Sequence, residues 1–374
     1  MGVKGYFYKL ATDRYKGFVP GVLKAILWLL SLVYGLIVRV LAWSGQVRSC
    51  RLPCKVISVG NITLGGTGKT SLVEFIAQKL TREGHKVAVV SRGYKRKAPN
   101  LMMRLRLALG LGEGEGQKSL APGYREMGDE PYMLQEKLPG VPVIVDADRM
   151  RAARQAVKEF RVDTVILDDA FQQWSLKKDL EVVTFDTADP FGNGHVLPRG
   201  ILREPLTALR RADIFVMTKA NLAKGIPATT ECLENINPRA LIVEAVHTPV
   251  AFYEFNKKVP IALEGFKGER VALVSGIGAP DSFEKVIEGL GLVIGLHVRF
   301  PDHHHYQAQD IEKIAVSCRK NHIEVLITTE KDAVRLRAIR DMRCAIRLLV
   351  LRIELELTKN AQGFNTRLAG LYSS

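Results

Sequence analysis

Residues 55–71 read KVISVGNITLGGTGKTS, and this stretch decides the fold. Lys55 to Val59 is a short apolar run with β-branched residues, which predicts a buried strand. Thr63, Leu64, Gly65, Gly66, Thr67, Gly68, Lys69 and Thr70 follow, and then Leu72, Phe75, Ile76 and Leu80 fall on one face of a helix. A strand, a glycine turn and a helix N-terminus together make a cradle for phosphate. Glycines let backbone N–H groups curl round an anion, and the helix end adds partial positive charge. In such a cradle Lys69 reaches the outer phosphates and the Thr70 hydroxyl holds magnesium. One residue departs from the strict pattern: Thr63 stands where a glycine is wanted, five positions before Gly68. The plainer alternative is an ordinary glycine turn between a strand and a helix.

The chain has 374 residues, enough for two domains with cores of their own. It is 47% hydrophobic and 25% charged, which excludes a disordered chain. The net charge of +15 calls for anionic partners: nucleic acid, anionic lipid or a phosphorylated substrate. Five scattered cysteines, Cys50, Cys54, Cys232, Cys318 and Cys344, complete no zinc pattern and read as reduced cytosolic thiols.

Residues 1–50 carry seven Lys/Arg and one acid. Within them Ala25 to Val38 is AILWLLSLVYGLIV, 14 residues without a charge. Extended from Val19 to Trp43 the run is long enough to span a bilayer if Lys24 and Arg39 snorkel. Trp28, Tyr34 and Trp43 suit interfacial depth, and Lys4, Lys9, Arg14 and Lys16 suit anionic headgroups. The favoured expectation is a helix in or partly inserted into the cytoplasmic leaflet, with a single span left open.

Beyond the cradle, KVAVVS (86–91), VPVIVD (141–146), TVILDD (164–169), EVVTFD (181–186) and DIFVMTK (213–219) alternate with helical patterns. That rhythm predicts a parallel sheet covered by helices. Residues 92–118 interrupt it with a basic, glycine-rich tract, expected as a flap facing an anionic membrane surface. It lacks the interleaved aromatics of a nucleic-acid patch, so no nucleic-acid partner is expected. A second strand–helix region begins near residues 237–248, with strands at RVALVSGIG (270–278), GLVIGLHVRF (291–300) and IEVLITTEKD (323–332). The expected fold class is α/β: a P-loop NTPase-like parallel-sheet domain over residues 49–240, preceded by a membrane-associated helical segment over residues 1–48. A smaller C-terminal α/β domain is expected over residues 241–374.

The strand TVILDDA ends in Asp168 and Asp169, and an apolar strand ending in acid is what a P-loop enzyme uses to hold magnesium. GDEP (128–131) offers Asp129 as a general base or proton relay, although an Asp before Pro also forms turns. In PDHHHY (301–306) adjacent histidines cannot all face one ion, but one could pair with a carboxylate. MTKAN (217–221) carries a faint GTPase signal.

The order GNITLGGTGKT, SRGY, GDEP, DR, DDAFQQ, LPRGILREP, SGIGAPDSF, DHH and TTEKDA resembles the tetraacyldisaccharide 4′-kinases, the lipid A kinases of Gram-negative bacteria. The resemblance runs from about residue 20 to residue 335. It implies ATP- and Mg²⁺-dependent transfer of the γ-phosphoryl group to the 4′-hydroxyl of a tetraacylated glucosamine disaccharide 1-phosphate, giving lipid IVA. It also implies attachment to the cytoplasmic side of the inner membrane, and two domains joined by a two-stranded linker. The family's P-loop pair falls on Lys69 and Thr70, its base on Asp129 and its DR arginine on Arg149. Its acidic pair falls on Asp168 and Asp169, and the Arg-Glu of its LREP motif, assigned to the nucleotide, on Arg203 and Glu204. Its histidine falls on His303, with His304 as the fallback. The chain departs from the family's usual DDGFQH at Ala170 and Gln173, and from LPAGPLRE at Arg199 and Ile201. The alternative function is a membrane-recruited ATPase or GTPase of regulatory or positioning type. That ATPase class usually carries a further lysine where this chain has Leu64.

Overall fold

The computed structural model describes Leu10, Asp13 and residues 17–93, 127–222, 225–255, 257, 259–337 and 346–373. The expected basic flap falls mostly on residues 94–126 and lies outside the described residues, as does Cys344. Helices, in chain order, are α1 (Phe18–Val47), α2 (Lys69–Arg82), α3 (Asp129–Lys137), α4 (Arg149–Phe160), α5 (Ile226–Ile236), α6 (Pro280–Gly289), α7 (Ala308–Lys320), α8 (Glu330–Leu336) and α9 (Ala361–Ala369). Strands are β1 (Lys55–Gly60), β2 (Val87–Ser91), β3 (Val143–Val145), β4 (Thr164–Asp168), β5 (Leu180–Asp186), β6 (Ile214–Thr218), β7 (Leu241–Glu254), β8 (Pro260–Ile261), β9 (Arg270–Ser275), β10 (Val293–Arg299), β11 (Val325–Thr329) and β12 (Arg347–Lys359).

The chain forms two compact units, and their boundaries are not the linear ones expected from sequence. The first unit runs to Arg92, resumes over Gly140–His247 and takes back Leu355 to the C-terminus. The second takes the described residues from Gly93 to Pro139, together with Thr248–Glu354. The GDEP segment therefore belongs to the second unit, not to the P-loop unit. The last helix, α9, belongs to the first. The reason is strand length: β7 and β12, of 14 and 13 residues, are long enough to start in one unit and end in the other.

In the first unit the strands pair in parallel in the order β7-β6-β5-β1-β4-β2-β3. Both faces are covered. Val56, Ala88, Val90, Val165 and Leu167 pack with Ala152, Ala153 and Ala156 of α4 on one side. On the same face, farther along the sheet, Phe185, Phe215 and Met217 pack with Leu209 and Leu233, and the opposite face is covered by α2 through Leu72, Val73, Ile76, Ala77 and Leu80. Burial on both faces is why these strands read as continuous apolar runs rather than alternating ones. The cradle strand β1 lies between β4 and β5, so the acidic pair at the end of β4 emerges beside the glycine turn.

The second unit has its own parallel set, β10-β9-β11-β12. Successive residues of β9 face opposite cores: Ala272 and Val274 meet Ile311, Ile314 and Ala315 of α7, whereas Val271 and Leu273 meet Phe283 and Ile287 of α6. Cys50, Cys54, Cys232 and Cys318 are free thiols, as expected.

Helix α1 packs along one side only. Leu27, Ser31, Gly35, Val38 and Ala42 form its buried stripe, at the three- and four-residue spacing of one helix face. The stripe lies on the segment 174–203. Gly35 stands against Val196, with 3.6 Å to its Cγ2 from an added Cβ, and a Cβ on Gly45 would come within 2.8 Å of Trp174 Cβ. Ile26, Leu29, Val33, Leu36, Ile37, Val40 and Trp43 remain exposed. The helix is long and apolar enough to cross a membrane, with a mean hydropathy of 2.2.

Gly60, at the end of β1, is approached by the turn that follows the acidic pair. A Cβ there would lie 2.6 Å from Phe171 Cβ and 2.9 Å from Phe171 Cα. Phe171 is fully buried and cannot yield, so Gly60→Ala should cost about 2 kcal/mol or more. Urea unfolding of the purified variant checks this through a lower midpoint.

Candidate active site

The glycine turn has the geometry its sequence predicts. Gly65 and Gly68 take positive φ values of 125° and 76°, and α2 starts at Lys69, directly after Gly68. An added Cβ on Gly65 or Gly66 would meet nothing within 4 Å, so the turn is open to a ligand. Around Gly68 the backbone is crowded by His247 and Thr218, with an added Cβ 3.1 Å from each. Thr67 is buried and its hydroxyl shares a hydrogen bond of 2.7 Å with that of Thr184. Thr63 is also buried and bridges Leu202 of the LREP segment, and Leu64 N–H donates to Ile201 O at 2.9 Å. Thr63 thus ties the loop down at the position where a glycine was wanted.

Asp168 closes β4, and Asp169 follows in the left-handed region at φ 50°. Its carboxylate accepts from Arg203 Nη1 at 2.9 and 3.1 Å and pairs with Lys69 Nζ at 3.5 Å. Burial opposes charge on Asp169, but Lys69, Arg203 and Arg149 outweigh it and hold the carboxyl below the ordinary carboxylate range. Asp168 is buried and accepts from Ser91 Oγ at 3.2 Å. Arg149 is buried too. Its Nη2 donates to the backbone carbonyls of Asp168 and Asp169, at 3.2 and 2.7 Å, and so fixes the acidic corner from behind.

Lys69, Thr70, Asp168, Asp169, Arg149 and Arg203 therefore converge at the C-terminal ends of β1 and β4, where ligands of parallel sheets bind. Glu204 does not join them. It is 1% exposed, and its two oxygens accept from Arg211 Nη2 at 3.0 Å each, with Gln172 Nε2 at 3.1 Å. Gln173, at the departure from the usual histidine, donates locally to Ser175 Oγ at 2.9 Å. Among the described residues no three His, Cys, Asp or Glu side chains cluster as a metal site. That suits magnesium, which takes one or two carboxylates and completes its shell with phosphate oxygens and water. Thr70 and the acidic pair are hard oxygen donors of that kind.

The second unit carries a separate cluster. Asp129, at the first turn of α3, shares its Oδ2 between His303 Nδ1 at 3.0 Å and Arg335 Nε at 2.6 Å. His303 is the partner, as favoured over His304, which instead bonds Asp310 at 3.0 Å and stacks on Phe300. Burial opposes charge on Asp129, but His303 and Arg335 outweigh it and lower its proton affinity. Arg335 was not foreseen. Its side chain is fully buried and also reaches Asp332 Oδ1 at 3.1 Å and Gly276 O at 2.8 Å. Gly276 O accepts the His303 N–H as well, at 3.0 Å, so one arginine holds both ends of the Asp129–His303 pair. The TTEKDA motif ends two residues before Arg335, but nothing local marks an arginine for the core. Lys331 pairs with Glu130 at 2.6 Å and completes the α3–α8 contact.

The family model for the tetraacyldisaccharide-1-P 4′-kinases matches residues 23–372. The chain belongs to that family. The tetraacyldisaccharide 4′-kinase of Halothermothrix orenii is 36% identical over 349 residues, covering 89% of this chain and 88% of that one. The tetraacyldisaccharide 4′-kinase of Syntrophus aciditrophicus is 39% identical over 299 residues, covering 77% of each. Among solved structures, LpxK of Aquifex aeolicus in complex with ATP aligns at a TM-score of 0.68 and 25% identity, over 94% of this chain and 99% of that chain. This tetraacyldisaccharide 4′-kinase family member is thus an enzyme of lipid A biosynthesis, a phosphotransferase whose acceptor is the 4′-hydroxyl of tetraacyldisaccharide 1-phosphate and whose cofactors are ATP and Mg²⁺. The alternative of a regulatory or positioning ATPase gives way to this reading.

Two stability measurements probe the buried arginine. Arg335→Met leaves Asp129 and Asp332 without their shared cation and should destabilise by about 3 kcal/mol at neutral pH. Asp129 has a lowered folded-state pKa, so the stability it adds is present above the unfolded value of about 3.9 and is lost as pH falls through the lower folded value. Wild type should exceed Asp129→Asn in unfolding free energy equally at pH 7 and pH 5, and the gap should close only in strong acid.

Proposed function

We propose that the two clusters divide the kinase reaction between them. The P-loop cluster binds the donor and stabilises the group in flight; the Asp129–His303 pair takes the proton of the 4′-hydroxyl. The observation that carries this is the shared Oδ2 of Asp129, bonded to His303 and Arg335 at once. His303 and Arg335 together keep Asp129 ionised at neutral pH, so the pair is ready as a proton acceptor before substrate binds.

On the donor side the residues Thr63 to Thr70 wrap the phosphates. Lys69 and Arg203, now on Asp169, are the cations positioned to meet the β and γ phosphates. Arg149 contributes by fixing the acidic corner and by adding its charge from behind it. Glu204 anchors the LREP segment from the inside through its buried pair with Arg211. Thr70 and Asp168 or Asp169 would hold magnesium, which would supply charge neutralisation on the phosphate oxygens. Most of the acceleration then comes from positioning and electrostatics, as phosphoryl transfer requires.

The acceptor's acyl chains place the work at a membrane surface, and ATP as the donor places it on the cytoplasmic side of the inner membrane. Helix α1 supports an interfacial position rather than a span. Its docked stripe runs from Leu27 to Ala42, about 22 Å of helix, and charged groups of the first unit lie alongside its N-terminal half. In a span those groups would sit in hydrocarbon, where they are costly. The exposed side of α1 is apolar apart from Arg39, whose long side chain can reach the headgroups, and suits the headgroup boundary.

Purified protein with ATP, Mg²⁺ and tetraacyldisaccharide 1-phosphate should give a product one phosphate heavier by mass spectrometry. Asp129→Ala should lower kcat by about 10²–10⁴-fold with little change in ATP affinity. Loss of ATP binding with turnover intact would overturn the role given to Asp129. The membrane reading predicts that Ile37→Glu/Trp43→Glu, on the exposed side of α1, weakens flotation on anionic vesicles, and that duplex DNA at equal salt does not compete.

A further inference from the structure

The LREP segment lies between two surfaces of the first unit. On one side it is stitched to the start of the phosphate loop: Arg203 N–H donates to Ile62 O at 2.7 Å, Leu64 N–H donates to Ile201 O at 2.9 Å, and Thr63 bridges Leu202. On the other side it is stitched to helix α1. The Tyr34 hydroxyl donates to Arg203 O at 3.0 Å, and Arg199 N–H donates to Ser31 Oγ at 3.3 Å. Val196 packs on Gly35, its Cγ2 3.6 Å from where a Cβ would stand. Beyond the helix start, Asp13 gathers Lys24 at 2.6 Å, Arg199 Nη2 at 2.8 and 3.0 Å and Asn193 at 3.1 Å. Burial works against charge on Asp13, but these three donors outweigh it and hold its pKa at about 2, so the cluster stays ionised throughout the neutral range.

The two faces of this segment meet in one residue. Arg203 has its carbonyl on Tyr34 and its guanidinium on Asp169, and Asp169 pairs with Lys69 of the phosphate loop. A helix that served only to hold the enzyme at a membrane would need apolar surface and basic charge, and neither requires a hydroxyl bonded to the backbone of a phosphate-site arginine. We propose that Tyr34 is a positioning residue of the kinase: docking of helix α1 sets the backbone of Arg203, and through it the placement of the Arg203 guanidinium against Asp169 and the incoming nucleotide. The membrane-associated helix is then part of the donor site as well as the anchor. This rests on the reading of Arg203 as a phosphate-side cation.

The test uses the full-length protein and three variants: Tyr34→Phe, Arg203→Ala and the double variant. Tyr34→Phe removes one oxygen and leaves the aromatic ring, so the helix keeps its apolar surface while Arg203 O loses its donor. A carbonyl left unsatisfied there should weaken binding of a fluorescent ATP analogue by about threefold to tenfold. KM for ATP should rise in step, while flotation on phosphatidylglycerol-containing vesicles stays at the wild-type level. In the Arg203→Ala background the same Tyr34→Phe change should have no further effect on nucleotide affinity, because the group it positions is gone. A merely structural contact would lower the melting temperature and leave the affinity of the folded protein for the analogue unchanged, and that result overturns the proposal. So does an equal loss of affinity from Tyr34→Phe with and without Arg203. The analogue binds without any lipid acceptor, so absence of phosphorylated lipid from wild type would count against the kinase reading alone.

Discussion

Asp169 sits in a left-handed turn at the end of β4 with three cations within reach, and the first unit is arranged around that corner. The turn is tolerated because it is held on every side. Arg149 takes the two carbonyls that the turn exposes, Arg203 and Lys69 take the carboxylate, and Ala170 N–H bonds back to Val59 O at 3.2 Å. Gly60 then has to be a glycine, because the residues after the corner lie directly on β1. An acid held among three cations, its side chain 36% exposed, still gives up part of its hydration. It is retained where charge has to be presented to a ligand, and a triphosphate with its magnesium is such a ligand.

The second unit solves a similar problem with one arginine. Arg335 is enclosed by Asp129, Asp332 and the carbonyl of Gly276, and Tyr306 also donates to Asp332, at 2.9 Å. Breaking such a pair from either side strands a charge in the core, so Asp129 and His303 are fixed in place as firmly as any apolar contact would fix them. Fixed geometry suits proton transfer, which needs a donor and an acceptor at hydrogen-bond distance rather than an unusually strong base.

Helix α1 combines two surfaces that a sequence profile averages into one. Hydropathy registers the whole run from Phe18 to Val47 as apolar. The small residues Ser31, Gly35 and Ala42 are what let the helix lie close on the segment 174–203, and the large ones on the opposite side are what a lipid surface would meet. Arg199, where the family usually has alanine, joins Asp13 and Lys24 at the start of that contact.

The sequence by itself determined the strand–glycine turn–helix cradle, the parallel β rhythm, the acidic pair at a strand end and the order of motifs that marks the family. Each is local: it depends on residue type, on spacing of a few positions, or on alternation within one element. Choosing His303 over His304 also began in sequence, but its proof needed the chain to bring residues 129 and 303 together. What only the tertiary structure decided are the roles of residues whose partners are far away. Glu204 was expected at the nucleotide because the family's LREP motif carries an Arg-Glu pair, yet the two side chains diverge and Glu204 turns inward to Arg211. Arg335 carried no signal in the sequence, yet its buried charge is balanced by the distant Asp129 and by Asp332 one turn back on the same helix. The GDEP segment left the P-loop unit, and α9 returned to it, because β7 and β12 are long enough to pass from one unit to the other. Periodicity reports which face of an element is buried; it carries no information about which buried charge will find which partner, and that pairing is settled only when the cores close.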